Sequence, residues 1–134
     1  MNRVITITRS LLALLLWLSA TTLAQTFPDR PINLVVAYTA GGSTDVVGRL
    51  LAAELTQRSK QQFVIDNRAG AGSIIGTDLA AKAPPDGYTI LIVNDTHAIN
   101  TNLFRKLPYD PIRDFTPITM IAATPFLLLV HPSL

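Results

Sequence analysis

The residues best suited to bind a small molecule lie in three short polar loops, each after an apolar, strand-like segment. The first loop, residues 38–45, reads YTAGGSTD and leads into a helical pattern. Adjacent glycines let a ligand approach the backbone, and free N–H groups at the start of a helix favour an anion. The candidate binding residues in this loop are Tyr38, Ala40, Gly41, Gly42, Ser43, Thr44 and Asp45.

The same loop is equally consistent with a purely structural role. The glycines would then form a tight turn, and Ser43 or Thr44 would cap the helix instead of donating a hydroxyl to a ligand. Asp45 argues against a simple anion site, because its carboxylate would either complement the helix dipole or meet a ligand ammonium group. The residue types leave both roles open.

The second loop, residues 67–73, reads NRAGAGS. Together with Gly76 it forms G-x-G-x-x-x-G between a strand and a helix, which resembles a dinucleotide fingerprint. The spacing is one residue too long, and no acidic residue is well placed for a ribose. An exported enzyme or nucleotide-binding domain that uses the turn 70–76 is therefore an alternative hypothesis. Arg68 is a candidate clamp for a carboxylate, although a surface arginine would look the same.

The third loop, residues 94–98, supplies the candidates Thr96, His97 and Ala98. A lone histidine in such a place is more often a hydrogen-bonded loop residue than a catalyst. The sequence has no cysteine nucleophile and no G-x-S-x-G elbow, and neither histidine has a partner at metal-ligand spacing. We therefore predict a binding protein, not an enzyme, without a metal or another cofactor.

The elements that position these loops alternate along the chain. Apolar, β-branched runs predict strands at 32–38, 62–66 and 89–93, and helical spacing follows from residue 43 and over 73–82. A short helix is predicted at 98–103, with further strands at 115–123 and 126–130. This alternation predicts an α/β fold, a three-layer arrangement of a parallel sheet with flanking helices, and its ligand loops lie at the carboxyl ends of the strands.

The first 24 residues have the composition of a secretory signal. Arg3 and Arg9 precede an apolar run at 11–18, which is too short for a membrane span, and small residues follow it. We predict cleavage before Gln25, a mature domain of residues 25–134 and a periplasmic location. Of the 11 Lys and Arg residues, these two arginines belong to the leader, which leaves 9 basic against 9 acidic side chains. The balanced charge gives no support for nucleic-acid binding.

Several short motifs make the chain resemble a known family, the substrate-binding proteins of tripartite tricarboxylate transporters, also called the Bug family. The resemblance covers essentially all of the predicted mature chain. Its marks are FPDRPI at 27–32, AGGSTD at 40–45, DNRAGAG at 66–72, APPDGYT at 83–89, KLPYDP at 106–111, DF at 114–115 and HPS at 131–133.

The resemblance implies the first lobe of a type II periplasmic-binding-protein fold. Members of the family capture di- and tricarboxylates, and sometimes amino acids or aromatic acids, and deliver them to the membrane permease subunits of the transporter. The loops 38–45 and 96–98 would then line the ligand cleft. Members are more than twice as long as this chain, so we expect a truncated receptor with weak or no ligand binding. A half-receptor that docks onto a signalling partner is a third hypothesis.

Overall fold

The sheet of the protein is built from the three apolar runs that the sequence predicts. The computed structural model of the chain describes residues 27–125 and 127–131. The strands are β1 (Ile32–Val36), β2 (Phe63–Asn67) and β3 (Thr89–Ile92). All pairings are parallel and the order is β2-β1-β3, which confirms the predicted parallel sheet. The predicted signal peptide, 1–24, and its cleavage before Gln25 lie outside the described residues.

Helices follow each strand, as parallel crossovers require. They are α1 (Ser43–Ser59), α2 (Ile74–Ala81), preceded by a 3₁₀ turn at Ala71–Ser73, and α3 (Thr96–Leu103). The predicted start of α1 at residue 43 is confirmed. The third helix begins two residues earlier than the predicted 98–103. Among the described residues, no helix is long and apolar enough to cross a membrane.

The central strand β1 is covered on both faces, because α1 and α2 pack on opposite sides of it. Val36 and Ala37 are consecutive, so their side chains point to opposite faces. A Cβ on Gly48 of α1 would lie 3.3 Å from a methyl carbon of Val36, whereas one on Gly76 of α2 would lie 3.0 Å from the Cβ of Ala37. The structure therefore has the expected three layers.

The core lies between α1 and the sheet. Leu34, Ala52 and Ile92 are buried together, and Leu51, Phe63, Ile65 and Ile90 pack around them. Leu50, which belongs to the apolar pattern of the helix, is instead 69% exposed. Gly48 and Ala52 face the sheet in its place, because small residues let the helix approach the strands closely.

The prediction of strands at 115–123 and 126–130 is wrong for the residues that the structure describes. Residues 115–125 and 127–130 contain no strand. Leu127, Leu128 and Leu129 are 83–91% exposed. Apolar and β-branched residues only favour an extended backbone. A β-strand forms where a neighbouring strand supplies the hydrogen-bond partners. The described part of the chain places no such neighbour beside this segment.

Candidate functional site

The three polar loops meet at one edge of the sheet, because the strands are parallel and in register. Val36 lies opposite Asn67 of β2 and opposite Ile92 of β3, so all three strands end together. The backbone N–H of Arg68 donates to the carbonyl of Val36 at 2.9 Å, which ties the start of the second loop to the end of β1. This edge is where the sequence predicts the binding site.

The loop after β1 leaves the start of α1 open. Gly42 is the N-cap in an extended conformation, and no described side chain makes a capping hydrogen bond there. Ser43 and Thr44 lie inside the first turn and their hydroxyls do not cap the helix, so the structure does not support the capping role, one of the two that the sequence left open. Their N–H groups have no acceptor within the helix, as is general for a first turn. Gly41 has φ +83°, and no described atom lies within 4 Å of the position that a Cβ would occupy.

Asp45 is buried behind this loop, with 1% of the residue exposed. Its carboxylate accepts hydrogen bonds from the N–H of Gly41 at 2.7 Å, Nε of Arg49 at 2.9 Å and Nδ2 of Asn67 at 2.8 Å. The hydrogen bond from Arg49, followed by those from Gly41 and Asn67, lowers the pKa of Asp45 from 3.8 to about 2. The carboxylate is therefore ionised at neutral pH and points into the protein.

The loops after β1 and β3 are joined through Tyr38 and Asn94. The hydroxyl of Tyr38 donates to Oδ1 of Asn94 and accepts from the N–H of Asn94 at 3.2 Å. Oδ1 of Asn94 also accepts from the N–H of Thr96 at 3.0 Å. Tyr38 and Thr96 therefore both bond to the same oxygen of Asn94. Ala98 lies in the first turn of α3, two residues after Thr96, and is exposed.

His97 packs into an aromatic cluster with Tyr109 and Phe115. Its ring is stacked on Tyr109, with centroids 5.9 Å apart, and meets Phe115 edge-on at 5.4 Å. Nε2 lies 3.1 Å from the carbonyl oxygen of Pro111. Nδ1 is buried and has no hydrogen-bond partner among the described residues. The histidine therefore anchors the 109–115 segment behind the third loop.

Arg68, just beyond the end of β2, pairs with Asp66 of that strand, with Nε 2.8 Å from Oδ1. Its side chain is 51% exposed. Within the described part of the chain the terminal guanidinium nitrogens make no hydrogen bond, so they are available to a ligand or to solvent. The geometry is compatible with a clamp for a ligand carboxylate and with an ordinary surface arginine, the two roles that the sequence allowed.

The second glycine-rich turn is packed against its surroundings. A Cβ on Gly76 would lie 2.6 Å from the carbonyl oxygen of Arg68 and 2.9 Å from Cα of Ala37. Nδ2 of Asn100, which is buried, donates to the carbonyl of Gly72 at 2.7 Å. Close approach of α2 to β1 accounts for Gly76 without a bound nucleotide.

Three polar residues of this edge were absent from the predicted site: Arg49, Asn67 and Asn94. Asn67 and Asn94 stand at or just beyond the end of a strand, where short amide side chains reach neighbouring loops. Arg49 lies four residues after Asp45, so the i,i+4 rule for charged pairs on a helix could have identified it. Residues 27–125 and 127–131 contain no cluster of three or more metal-ligating side chains.

Two features of the fold define the class of protein: a parallel α/β sheet and polar loops gathered at the carboxyl ends of its strands. The family described as "Tripartite tricarboxylate transporter family receptor" matches residues 47–134. The chain belongs to this family, and the first-lobe α/β fold that the motifs implied is confirmed.

Individual relatives agree with this assignment. The chain is 42% identical over 113 residues to Protein BugT of Bordetella pertussis, which covers 83% of this chain and 35% of BugT. It superposes on MatC of Rhodopseudomonas palustris, solved with bound malate, with TM-score 0.65 and 41% identity over 68% of this chain and 31% of MatC. An adipate-bound R. palustris protein gives TM-score 0.61 and 45% identity, over 63% of this chain and 29% of that protein. The chain thus spans about a third of the length of the relatives that it matches.

Proposed function

We propose that this chain is the first lobe of a periplasmic solute-binding receptor and that it holds a small organic carboxylate without catalysing a reaction. The observation that carries the proposal is the open first turn of α1. The N–H groups of Ser43 and Thr44 have no intrahelical acceptor, and none of the described side chains caps the turn. An anion there would also be stabilised by the helix dipole, by about 0.3–1 kcal/mol for each charge.

The charge distribution around the turn supports an anionic ligand. Asp45 is the acidic residue of the first turn. Its carboxylate faces inward and is neutralised by Arg49 at 2.9 Å. A ligand carboxylate would therefore meet backbone donors without facing an exposed negative charge. Arg68, with its terminal nitrogens available, is the candidate for a second carboxylate.

The loop after β3 would form the opposite wall of this half-site. Tyr38 and Asn94 set the distance between the two walls through their paired hydrogen bonds. Thr96, two residues after Asn94, is partly exposed. His97 would support the wall from behind without touching the ligand, since its ring is committed to Tyr109 and Phe115.

The ligands seen in two relatives suggest which carboxylates to test. One relative is bound to malate and the other to adipate. Both molecules are dicarboxylates without an ammonium group. Because the matched part of this chain spans only about a third of each of those relatives, their ligands are candidates here.

The experiment is a titration of the ¹⁵N-labelled protein with malate and with adipate, followed by backbone amide chemical shifts. We expect the amides of Gly41, Ser43 and Thr44 to move with a common saturation curve, while that of Gly72 in the second turn stays still. Malamide, the uncharged diamide of malate, is the matched ligand control. Equal shifts with malamide, or shifts confined to Gly72, would refute carboxylate capture at the first turn.

A single variant can remove one backbone donor from this turn. Ser43→Pro deletes the N–H at the first helical position, where proline is well tolerated, and Gly42 already has the extended conformation that a following proline requires. We expect malate binding to weaken roughly tenfold, as for loss of one charge-assisted hydrogen bond. Ser43→Ala, which keeps the N–H, should bind as the wild type does.

The location and the partner are also proposals. We infer that residues 1–24 direct export and are removed before Gln25, and that the receptor delivers its ligand to the permease subunits of a tripartite transporter. The periplasmic relatives and the family match support both points. Intact-mass measurement of the protein from the periplasmic fraction tests the first: a product that begins at Met1 would contradict cleavage.

A further inference from the structure

Asp45 lies at the centre of a closed ring of hydrogen bonds that connects three parts of the fold. Its carboxylate accepts from Gly41 in the loop, from Arg49 in α1 and from Asn67 in β2. Nη2 of Arg49 donates to Oδ1 of Asn67 at 3.1 Å, which closes the ring. Nδ2 of Asn67 also donates to the carbonyl of Tyr38 at 3.3 Å. The loop is therefore held at its start and at its bend.

We propose that Asp45, Arg49 and Asn67 form a positioning clamp that holds the loop 38–42 in its ligand-binding conformation before a ligand arrives. The clamp rests on the proposed function of this loop. None of its three members contacts the ligand. Asp45 holds the backbone of Gly41 and Asn67 holds that of Tyr38, whereas Arg49 acts through the side chains of Asp45 and Asn67.

The hydroxyl of Tyr38 restrains the start of the loop, but the bend at the two glycines has few other restraints and needs such a clamp. Gly41 and Gly42 are adjacent glycines, and glycine has the largest backbone freedom to lose on ordering. Inside the loop, the N–H of Gly42 reaches the carbonyl of Thr39 only at 3.3 Å. A loop that is ordered in advance does not lose this freedom when the ligand binds, and the affinity is correspondingly higher.

The clamp also determines which ligand group the first turn recognises. The carboxylate of Asp45 is committed to three donors and is 1% exposed as a residue. A ligand ammonium group would have to displace Arg49 or Asn67 to reach it. The turn thus recognises a carboxylate alone, and any ammonium group of a ligand must be bound elsewhere.

Arg49 is the best member to change, since its side chain is 54% exposed whereas that of Asp45 is 2% exposed. The same helix offers a matched control, Arg58, which makes an i,i+4 pair with Glu54 at 2.6 Å far from the loop. The measurement compares amide hydrogen exchange at Gly41 and at Leu34 in Arg49→Ala, Arg58→Ala and wild type. Malate titrations of the same proteins follow ligand binding.

We expect Arg49→Ala to raise the exchange rate of the Gly41 amide and to weaken malate binding, each by roughly tenfold or more, because the change removes the charge-assisted hydrogen bonds to Asp45 and Asn67. The Leu34 amide, in the buried strand β1, should keep its wild-type rate. Arg58→Ala should change none of these quantities by more than about twofold, as expected for an exposed pair. Arg49→Lys, which keeps the charge beside Asp45 but cannot bridge to Asn67 at the same time, should be intermediate.

Either of two results would contradict the proposal that these residues hold the loop in place. One is a Gly41 exchange rate in Arg49→Ala equal to that in Arg58→Ala. The other is equal acceleration at Gly41 and Leu34, which would mean that Arg49 only stabilises the whole fold. A wild-type protein that binds neither malate nor adipate would contradict the proposed function instead, and the amide comparison would still decide whether the loop is clamped.

Discussion

Two glycine-rich turns, one after β1 and one after β2, each lead from a parallel strand towards a helix, but their glycines serve different purposes. In the first turn, the space beside Gly41 holds no described atom, and a charged cluster below the loop fixes its shape. In the second turn, Gly76 lies against backbone atoms of Arg68 and Ala37, and Asn100 bonds to Gly72. Two glycine-rich sequences therefore produce one turn with open space beside its glycine and one turn that is closely packed.

The largest expected effect tests the closed turn. Gly76→Ala places a Cβ 2.6 Å and 2.9 Å from backbone atoms, which cannot move without shifting α2 or β1. We expect the free energy of unfolding, measured with urea, to fall by about 2 kcal/mol. Gly48→Ala is the control, because its Cβ would meet only side-chain methyls at 3.3 Å and an alanine favours the helix. If Gly76→Ala and Gly48→Ala had the same free energy of unfolding, close packing around Gly76 would not distinguish the second turn from the first.

Acid should lower the free energy of unfolding, because protonation of Asp45 removes the interactions that hold the first turn. Its pKa in the folded protein, about 2, lies below the ordinary value of 3.8. The stabilisation is therefore complete above pH 3.8 and is lost as the pH falls through about 2. Urea midpoints measured between pH 5 and pH 2 should decrease, and Asp45→Asn should make the decrease shallower. The decrease should not vanish, because the N–H groups of Arg113 and Ile112 also lower the pKa of Asp110.

A substitution at the open turn should affect binding more than stability. Gly41→Ala meets no described atom, but its φ of +83° is unfavourable for a residue with a Cβ. We expect a loss of about 1 kcal/mol in the free energy of unfolding and weaker malate binding as the loop shifts. A clash is not involved, so the effect on stability should be smaller than that of Gly76→Ala. If Gly41→Ala lowered the free energy of unfolding more than Gly76→Ala does, the first turn would be the more tightly packed one.

The smallest effect is expected at the helix start. Removal of a true N-cap hydroxyl costs about 1 kcal/mol. Neither Ser43 nor Thr44 makes a capping bond to the described backbone. Ser43→Ala and Thr44→Ala should therefore each change the free energy of unfolding by less than about 0.5 kcal/mol. A loss near 1 kcal/mol in thermal or urea unfolding would show that one of the hydroxyls does cap α1.

Much of the fold was predictable from the sequence because its signals are local. The three strands of the sheet are short apolar runs between turn residues, and the helix start at Ser43 follows a glycine pair. The segment 115–130 carried similar local signals and was predicted wrongly. Its pairing depends on whether another strand lies beside it, which composition does not report.

The gathering of the loops at one edge of the sheet was predicted more accurately than the directions of their side chains. The sequence indicated the edge of the sheet and the loop 38–45, because parallel strands end on one side. It did not reveal that Asp45 faces inward or that His97 packs on Tyr109. A loop residue has two or more directions in which its side chain can point, and neighbours distant in sequence decide between them.

By itself, then, the sequence determined the alternation of strands and helices, the parallel sheet and the edge at which its loops gather, since these follow from hydrophobic period and turn chemistry. The tertiary structure decided which of two similar glycine turns stays open. That choice depends on contacts between residues 22 and 28 positions apart, Asp45 with Asn67 and Gly72 with Asn100. Such contacts exist only once the sheet has brought the loops together, because hydrogen bonds and close packing require atoms within a few ångströms of each other.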